Sequence, residues 1–270
     1  MDWGMQNRLA RIIDPKDNRC VMLAVDHGYF QGPTTGLGRP RPLLQGLIPH
    51  ADALMLTRGL LRNCVDAGQA RGIPIVLRSS GGASMLSELS NEDLTVDIDD
   101  AIRLNVAALA MSIYVGGPGE HGTLLALSEA VNFGEQYGIP VLAVTAVGRE
   151  MVRDVRYLAL ASRIAAELGA RIVKTYYCDD FEKVTSTCPV PVVIAGGKKL
   201  EPKDALVLAA SAIAGGAVGV DMGRNIFQSD SPVGMIKAVR AVVHEGARPG
   251  DALAVYEAQK ASEAVRAKQG

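Results

Sequence analysis

The sequence predicts an α/β chain folded as a (β/α)8 TIM barrel, and three observations carry that prediction. Eight apolar runs rich in Val, Ile, Leu and Ala recur along the chain, each followed by a polar or Gly-bearing loop and then a segment of helical period. The runs are apolar almost throughout rather than alternating, as expected of parallel strands buried on both faces. The polar residues that interrupt them gather at their C-terminal ends, where barrels of this kind carry their chemistry.

The runs are VMLAVDHG from Val21, ADALMLT from Ala51, IPIVLRSS from Ile73, ALAMSIYVGG from Ala108, IPVLAVTAVG from Ile139, RIVKTYY from Arg171, VPVVIAGG from Val190 and AVGVDMGR from Ala217. Between them the pattern predicts helices over 99–105, 128–137, 157–168, 202–213 and 232–244. Asp99 before Asp100, Ser128 before Glu129, and Pro202 and Pro232 in a first turn serve as start signals. Gly138, Gly169 and Gly216 stand at the C′ positions before the next strand. An open doubly wound sheet is the alternative, but its Gly-rich fingerprint is missing after the first run, which reads DHGYFQG.

The chain has 270 residues, 48% hydrophobic and 21% charged, which suits one barrel, since α/β barrels run to about 250 residues as a single domain. We divide it into an N-terminal segment 1–19, a barrel over about 20–245 and an extra C-terminal helix over about 251–268, which either packs on a neighbouring subunit or frays. The net charge of −1, with scattered basic residues, leaves no footprint for nucleic acid or an anionic membrane. The start, MDWGMQNRLARI, lacks a secretory apolar core and no run is long enough to span a bilayer, so a cytoplasmic location is expected. Cys20, Cys64, Cys178 and Cys188 form no C-x-x-C pair and no zinc spacing, so neither a disulfide framework nor a metal site is expected.

The strand ends form a coherent polar set: Asp26-His27-Gly28, Thr57-Arg58-Gly59, Arg78-Ser79-Ser80, Lys174-Thr175-Tyr176, Gly196-Gly197-Lys198 and Gly223-Arg224-Asn225. Lys174 is the most informative, because an ammonium ion inside an apolar strand is costly unless it is paired or sheds its proton. A neutral amine there attacks a ketone to give an iminium, an electron sink for a carbanion on the adjacent carbon. Alternatively its head reaches solvent or pairs with a carboxylate such as Asp26. The glycine loops after runs seven and eight, with Lys198 and Arg224, match the usual phosphate site of barrels. Asp26 either orients the amine and carries protons or forms a structural ion pair. His27 is a proton carrier, a substrate contact or a packed turn histidine, and Arg58 and Arg78 either contact a substrate anion or tie loops together.

Taken together, AVDHGYFQGP, RIVKTYY, VIAGGKK and GVDMGRNIFQ resemble the DhnA-type class I aldolase family, in register over nearly the whole chain. Within it, DHGYFQGPTTGL, LSNEDLTVDIDDAIRLN, MVRDVRYLALASRIAAELGA and GRNIFQSDSPVGMIKAVRAVVH resemble a thiolase branch acting in autoinducer-2 breakdown. The resemblance implies Schiff-base chemistry at Lys174, an acid at Asp26, a phosphate site over Gly196, Gly197, Lys198, Gly223 and Arg224, and decameric assembly. It also implies thiolytic cleavage of a phosphorylated diketone to dihydroxyacetone phosphate and acetyl-CoA, with coenzyme A as co-substrate and no bound cofactor. One departure bears on the reaction. Archaeal aldolases of the family carry a proton-transferring tyrosine in a Tyr-Pro-Arg-Gly-like motif after strand five, where this chain reads Thr145-Ala146-Val147-Gly148. Aldol cleavage needs a base for the hydroxyl proton on the carbon released, whereas thiolysis does not. The remaining alternatives are a class I aldolase acting on a ketose phosphate such as fructose bisphosphate and a non-catalytic phosphometabolite-binding barrel. Cys178, just past the sixth run, keeps a double-displacement route open.

Overall fold

The computed structural model describes residues 1–146 and 152–269. Eight strands pair in parallel and close into a barrel in chain order: β1 (Cys20–Ala24), β2 (Ala53–Thr57), β3 (Ile75–Arg78), β4 (Ala108–Ile113), β5 (Val141–Thr145), β6 (Ile172–Thr175), β7 (Val192–Ala195) and β8 (Gly219–Met222). Seven lie within the apolar runs, and β1 begins one residue before its run, at Cys20. Closure sets Cys20 of β1 opposite Gly219 of β8 and Met22 opposite Asp221. The two strands approach so closely that a β-carbon on Gly219 would lie 1.9 Å from the Cys20 carbonyl oxygen, so this seam requires glycine.

Both faces of the sheet are buried, which explains the continuous hydrophobicity. Cys20, Met22 and Ala24 of β1 join an inner cluster with Met55, Val76, Leu142, Ile172 and Val193, while Val21 and Leu23 pack outward beneath the helices. The same alternation decides where two charged residues go. Ile172 belongs to the inner cluster and Val173 to the outer one, so Lys174 points inward; Val220 and Met222 belong to the outer cluster, so Asp221 between them points inward too. The helix Trp3–Ile12, capped by Asp2 Oδ1 accepting from the Met5 amide at 2.7 Å, brings Ile12 and Ile13 into the inner cluster, at the end of the barrel where the strands begin.

The helices differ from expectation at their starts. The segment expected over 128–137 begins earlier, as Glu120–Tyr137, and Ser128 is not its cap: the Ser128 hydroxyl donates back to the Leu124 carbonyl at 3.0 Å, the way serine is tolerated inside a helix. Ahead of Ile98–Arg103, the cap is Asp97, whose Oδ1 accepts from the Asp99 amide. Gly138, Gly169 and Gly216 have φ of 65°, 101° and 93°, as their place after helices requires. Among the described residues no helix is long and apolar enough to cross a membrane.

The last helix, Pro249–Gln269, packs on its own chain against Pro232–Glu245 and Pro202–Ala214. Ala252 and Tyr256 are its buried contacts, the latter only 1% exposed. Tyr256→Ala is expected to cost about 3 kcal/mol in urea denaturation; a cost below about 1 kcal/mol would mean that this helix adds little to the core.

Candidate active site

At the C-terminal end of the barrel lies a cavity of about 250 Å³, whose wall includes Asp26, His27, Arg78, Lys174, Asp221 and Arg224. Lys174 of β6 is 8% exposed and reaches across the barrel to Asp221 of β8, Nζ to Oδ2 2.8 Å. Its nitrogen also lies 3.7 Å from Met55 Sδ on β2. Contributions from β2, β6 and β8 at one depth follow from the way alternate strands fill a layer of a barrel interior. Apart from the contact with Lys174, neither oxygen of Asp221 has a hydrogen-bond partner among the described residues. Burial raises the Asp221 carboxyl above the usual range, against the pull of the Lys174 charge. The sequence offered Asp26 as one possible carboxylate partner of Lys174; the ion pair is made by Asp221, because side-chain alternation along β8 aims that residue inward.

Asp26, just past β1, belongs to a second pair. Its Oδ2 accepts from Arg78 at 2.9 Å (Nε) and 2.8 Å (Nη2), a two-pronged contact in which both partners are buried. Burial alone would raise the Asp26 carboxyl, but the charges of Arg78, Lys174 and His27 outweigh it and hold it below the usual carboxylate range. Arg78 also donates from Nη1 to the Ser112 hydroxyl at 2.8 Å and stands over the Tyr29 ring, 5.0 Å from its centroid. The two carboxyl groups of the cavity are thus pushed in opposite directions.

His27 has its Nδ1 3.7 Å from Asp26 Oδ1, too far for a hydrogen bond, and that nitrogen is buried without a partner among the described residues. Burial pushes its imidazole down to about 4 despite Asp26, so at neutral pH it is uncharged. On the other wall, Gly196 and Gly197 after β7 meet Gly223 and Arg224 after β8. Arg224 Nη2 donates to the Gly197 carbonyl at 2.8 Å, and Asn225 Nδ2 donates to the Gly196 carbonyl at 2.8 Å, tying the two turns together. A β-carbon on Gly223 would lie 2.4 Å from the His27 ring and 2.5 Å from the Ala24 carbonyl oxygen, so only glycine lets these turns close. Arg224 Nε is buried with no partner among the described residues.

Two expected residues are not in the cavity wall. Arg58 opens the helix Arg58–Cys64, capped by Thr57, and its guanidinium pairs with Asp100 at 3.3 Å, where Arg62 pairs as well. The helix begins so soon after β2 that the side chain is carried outward. Lys198 lies beyond Gly197, whose φ is +67°, and is exposed rather than turned into the cavity. Cys178 is likewise outside the wall, and burial raises its thiol, which disfavours it as an acyl carrier. Val147 and Gly148 lie outside the described residues; Thr145 lines the cavity and its hydroxyl donates to Thr175 at 2.8 Å.

Asp221 of the wall, and Glu92, which holds the wall residues Tyr29 and Tyr114, escaped sequence reasoning. Asp221 carried the same signal as Lys174, a charge inside an apolar run. Glu92 carried none: it is 5% exposed and accepts from the hydroxyls of Tyr29 at 2.7 Å, Ser80 at 2.7 Å and Tyr114 at 3.3 Å. Burial, with Glu92 adding to it, raises both phenols far above their ordinary value, so they stay protonated.

His27 gives a pH prediction. Its folded-state value near 4 lies below the ordinary 6.5, so as pH falls the unfolded chain takes up this proton first, and stability is lost from about pH 6.5 down to about 4. In His27→Gln the loss between pH 7 and pH 4.5, read by urea denaturation, is expected to be smaller by on the order of 2 kcal/mol; equal losses in both proteins would contradict the depressed value.

Comparison with known proteins fits this geometry. The DeoC/LacD family aldolases match residues 20–229. The chain is 56% identical over 261 residues to the 3-hydroxy-5-phosphonooxypentane-2,4-dione thiolase of Photorhabdus laumondii, covering 96% of this chain and 89% of that protein. It is 56% identical over 264 residues to the thiolase of the same name from Enterobacter sp. (strain 638), covering 97% and 89%. Among solved structures, an archaeal fructose 1,6-bisphosphate aldolase superposes with a TM-score of 0.80 at 24% identity over 90% of this chain and all of that one. An archaeal fructose-1,6-bisphosphate aldolase with its catalytic Lys covalently bound to the carbinolamine intermediate of its substrate gives 0.79 at 23% identity over 88% and 99%. These two structures share the fold. The resemblance seen in the motifs is borne out, and the chain belongs to the DeoC/LacD family of aldolases.

Proposed function

We propose that this protein cleaves 3-hydroxy-5-phosphonooxypentane-2,4-dione with coenzyme A, giving dihydroxyacetone phosphate and acetyl-CoA through a Schiff base on Lys174. The observation that carries the proposal is the Lys174 amine inside the barrel mouth, 2.8 Å from a buried carboxylate, in a cavity it shares with two interlocked glycine turns. The name of the 56% identical relatives supports the substrate. The same reading takes the protein to be a cytoplasmic homo-oligomer that holds no cofactor.

The glycine amides and Arg224 receive the phosphate, whose negative charge suits the unpartnered Arg224 Nε. This sets the ketone beside the phosphate-bearing carbon against Lys174. The neutral amine adds to that carbonyl, and loss of water gives the iminium. Asp221, whose carboxyl burial pushes up, is suited to take the amine proton and to protonate the departing hydroxyl. Asp26, held ionised by Arg78, is suited to balance the iminium charge. Two carboxyl groups pushed apart in this way divide acid and base work between them. The thiolate of coenzyme A attacks the acetyl carbonyl, the bond between that carbon and the hydroxyl-bearing carbon breaks, and its electron pair forms an enamine. Protonation of the enamine carbon and hydrolysis release dihydroxyacetone phosphate. His27, uncharged at neutral pH, serves as a neutral hydrogen-bonding wall rather than as a phosphate cation.

The second reading is a class I aldolase acting on a ketose phosphate, supported by the names of the superposing structures. Against it stands Thr145, which closes β5 with a hydroxyl committed to Thr175. Incubation of the diketone phosphate with and without coenzyme A, with acetyl-CoA followed by mass spectrometry, separates the two. Acetyl-CoA formation only when coenzyme A is present is expected; cleavage of a ketose phosphate without it would favour the aldolase, and no cleavage of either a mere binding barrel. Asp221→Asn is expected to lower kcat about a hundredfold with little change in phosphate binding, measured by steady-state kinetics and by competition with inorganic phosphate. A kcat within threefold of wild type would remove Asp221 from the proton transfers.

A further inference from the structure

The cavity is built asymmetrically about Lys174. Because β6 lies between β5 and β7 in the barrel, the amine has the glycine turns of β7 and β8 on one side and the end of β5 on the other. The first side holds the phosphate in the reading above. The second is lined by Val144, Thr145, Ala146, Tyr176 and Leu89, a mostly apolar wall at whose edge, among the described residues, stands the cation Arg153. Its guanidinium carbon lies over the Tyr176 ring, 3.7 Å from the centroid, a cation–π contact that steadies the group without using its N–H donors.

Arg153 differs from the other arginines near the cavity. Arg78 is consumed by Asp26 and Ser112 and Arg58 by Asp100, while Arg224, tied to the Gly197 carbonyl through Nη2, keeps its Nε for the ketone's phosphate in the reading above. Arg153 has the Tyr176 ring as its contact and, among the described residues, no hydrogen bond and no carboxylate partner. It is exposed yet lines the cavity, which places it at the mouth. A guanidinium set over a ring, with no partner for its donors among the described residues, is suited to a planar or phosphoryl anion.

The phosphate of the ketone is taken up at the opposite wall, so the free cation belongs to the other reactant. We propose that Arg153, steadied by Tyr176, is the anchor for the phosphate groups of coenzyme A, whose pantetheine arm runs along the apolar wall and delivers its thiol to the acetyl end of the bound diketone. This rests on the thiolytic reading of the site. An extended pantetheine arm keeps phosphates and thiol well apart, and a cation at the mouth rather than beside the amine meets that requirement. The acetyl group, remote from the ketone's own phosphate, points away from the glycine turns and toward the wall along which the thiol arrives.

Steady-state kinetics with two thiols test the assignment: coenzyme A, and pantetheine, which keeps the arm and lacks the phosphates. In Arg153→Gln the KM for coenzyme A rises about tenfold, while the KM for pantetheine and the KM for the diketone phosphate stay within twofold of wild type. Arg153→Lys, which keeps the charge but not the flat fork, falls between. Reductive trapping of dihydroxyacetone phosphate with borohydride proceeds to the wild-type yield in both variants, showing that the fold and the amine are intact. Three results overturn the proposal: an unchanged KM for coenzyme A in Arg153→Gln, an equal rise for both thiols, or a rise for the diketone phosphate alone, which would assign Arg153 to a second anionic group of that substrate. If the wild-type protein turns over no diketone phosphate with either thiol, the thiolytic reading itself fails, and the anchor with it.

Discussion

The structure depends on one ion pair in an unusual place. Lys174 and Asp221 occupy positions in β6 and β8 where the barrel otherwise packs Met, Leu, Ile and Val, and their 2.8 Å contact closes across the interior. Either charge alone would be expensive there, since a buried ion without a partner costs several kcal/mol after relaxation. Together they are tolerated, but weakly satisfied: Asp221 has no other hydrogen-bond partner among the described residues, and Lys174 has only the Met55 sulfur besides. A pair built for stability would be netted in further hydrogen bonds. In the proposed reaction a pair so sparsely bonded is suited to hand a proton from nitrogen to oxygen as the amine turns nucleophile.

The surroundings sharpen that state. Arg78 fixes Asp26 as a carboxylate through two contacts and is itself fixed by Ser112 and by the Tyr29 ring. Tyr29 is in turn tied to Glu92, which also gathers Ser80 and Tyr114. The result is a hydrogen-bonded polar frame on the β1, β3 and β4 side, in which Asp26, Arg78, Tyr29, Glu92, Ser80 and Tyr114 all have partners, facing the more sparsely bonded Lys174–Asp221 pair. Electrostatic preorganisation of this kind would serve the proposed Schiff base, because the frame need not rearrange when charge develops there. The glycine turns of β7 and β8, locked by Arg224 and Asn225, complete the site by fixing where a phosphate would stand.

Much of this was legible in the sequence, for physical reasons. Continuous hydrophobicity marked the strands because both faces of a barrel strand are buried, and Lys174 stood out because a charge interrupts such a run only at a cost. Asp221 sat in an equivalent position in GVDMGR, but attention to the glycine and arginine after it obscured an acid within the strand. Arg58 and Lys198 misled because a residue at a strand end faces the cavity only if the chain does not turn first: Thr57 starts a helix at once, and Gly197 reverses the chain before Lys198. Glu92 lies in a loop 63 residues from Tyr29 and 22 from Tyr114, and no local pattern announces a contact made only when the barrel closes. Ser128 looked like a helix start because its hydroxyl suits a cap, but the preceding turns are helical as well, and tertiary packing decided the boundary.

The most direct test of the central claim is to find where substrate carbon becomes attached. Protein treated with dihydroxyacetone phosphate and borohydride, digested and sequenced by mass spectrometry, is predicted to carry the reduced adduct on the peptide containing Arg171, Ile172, Val173 and Lys174, with the modification on the Lys174 nitrogen and none on Lys198 or Lys199. An adduct on another lysine, or no adduct under conditions where the protein turns over its substrate, would contradict a mechanism built on the amine inside the barrel.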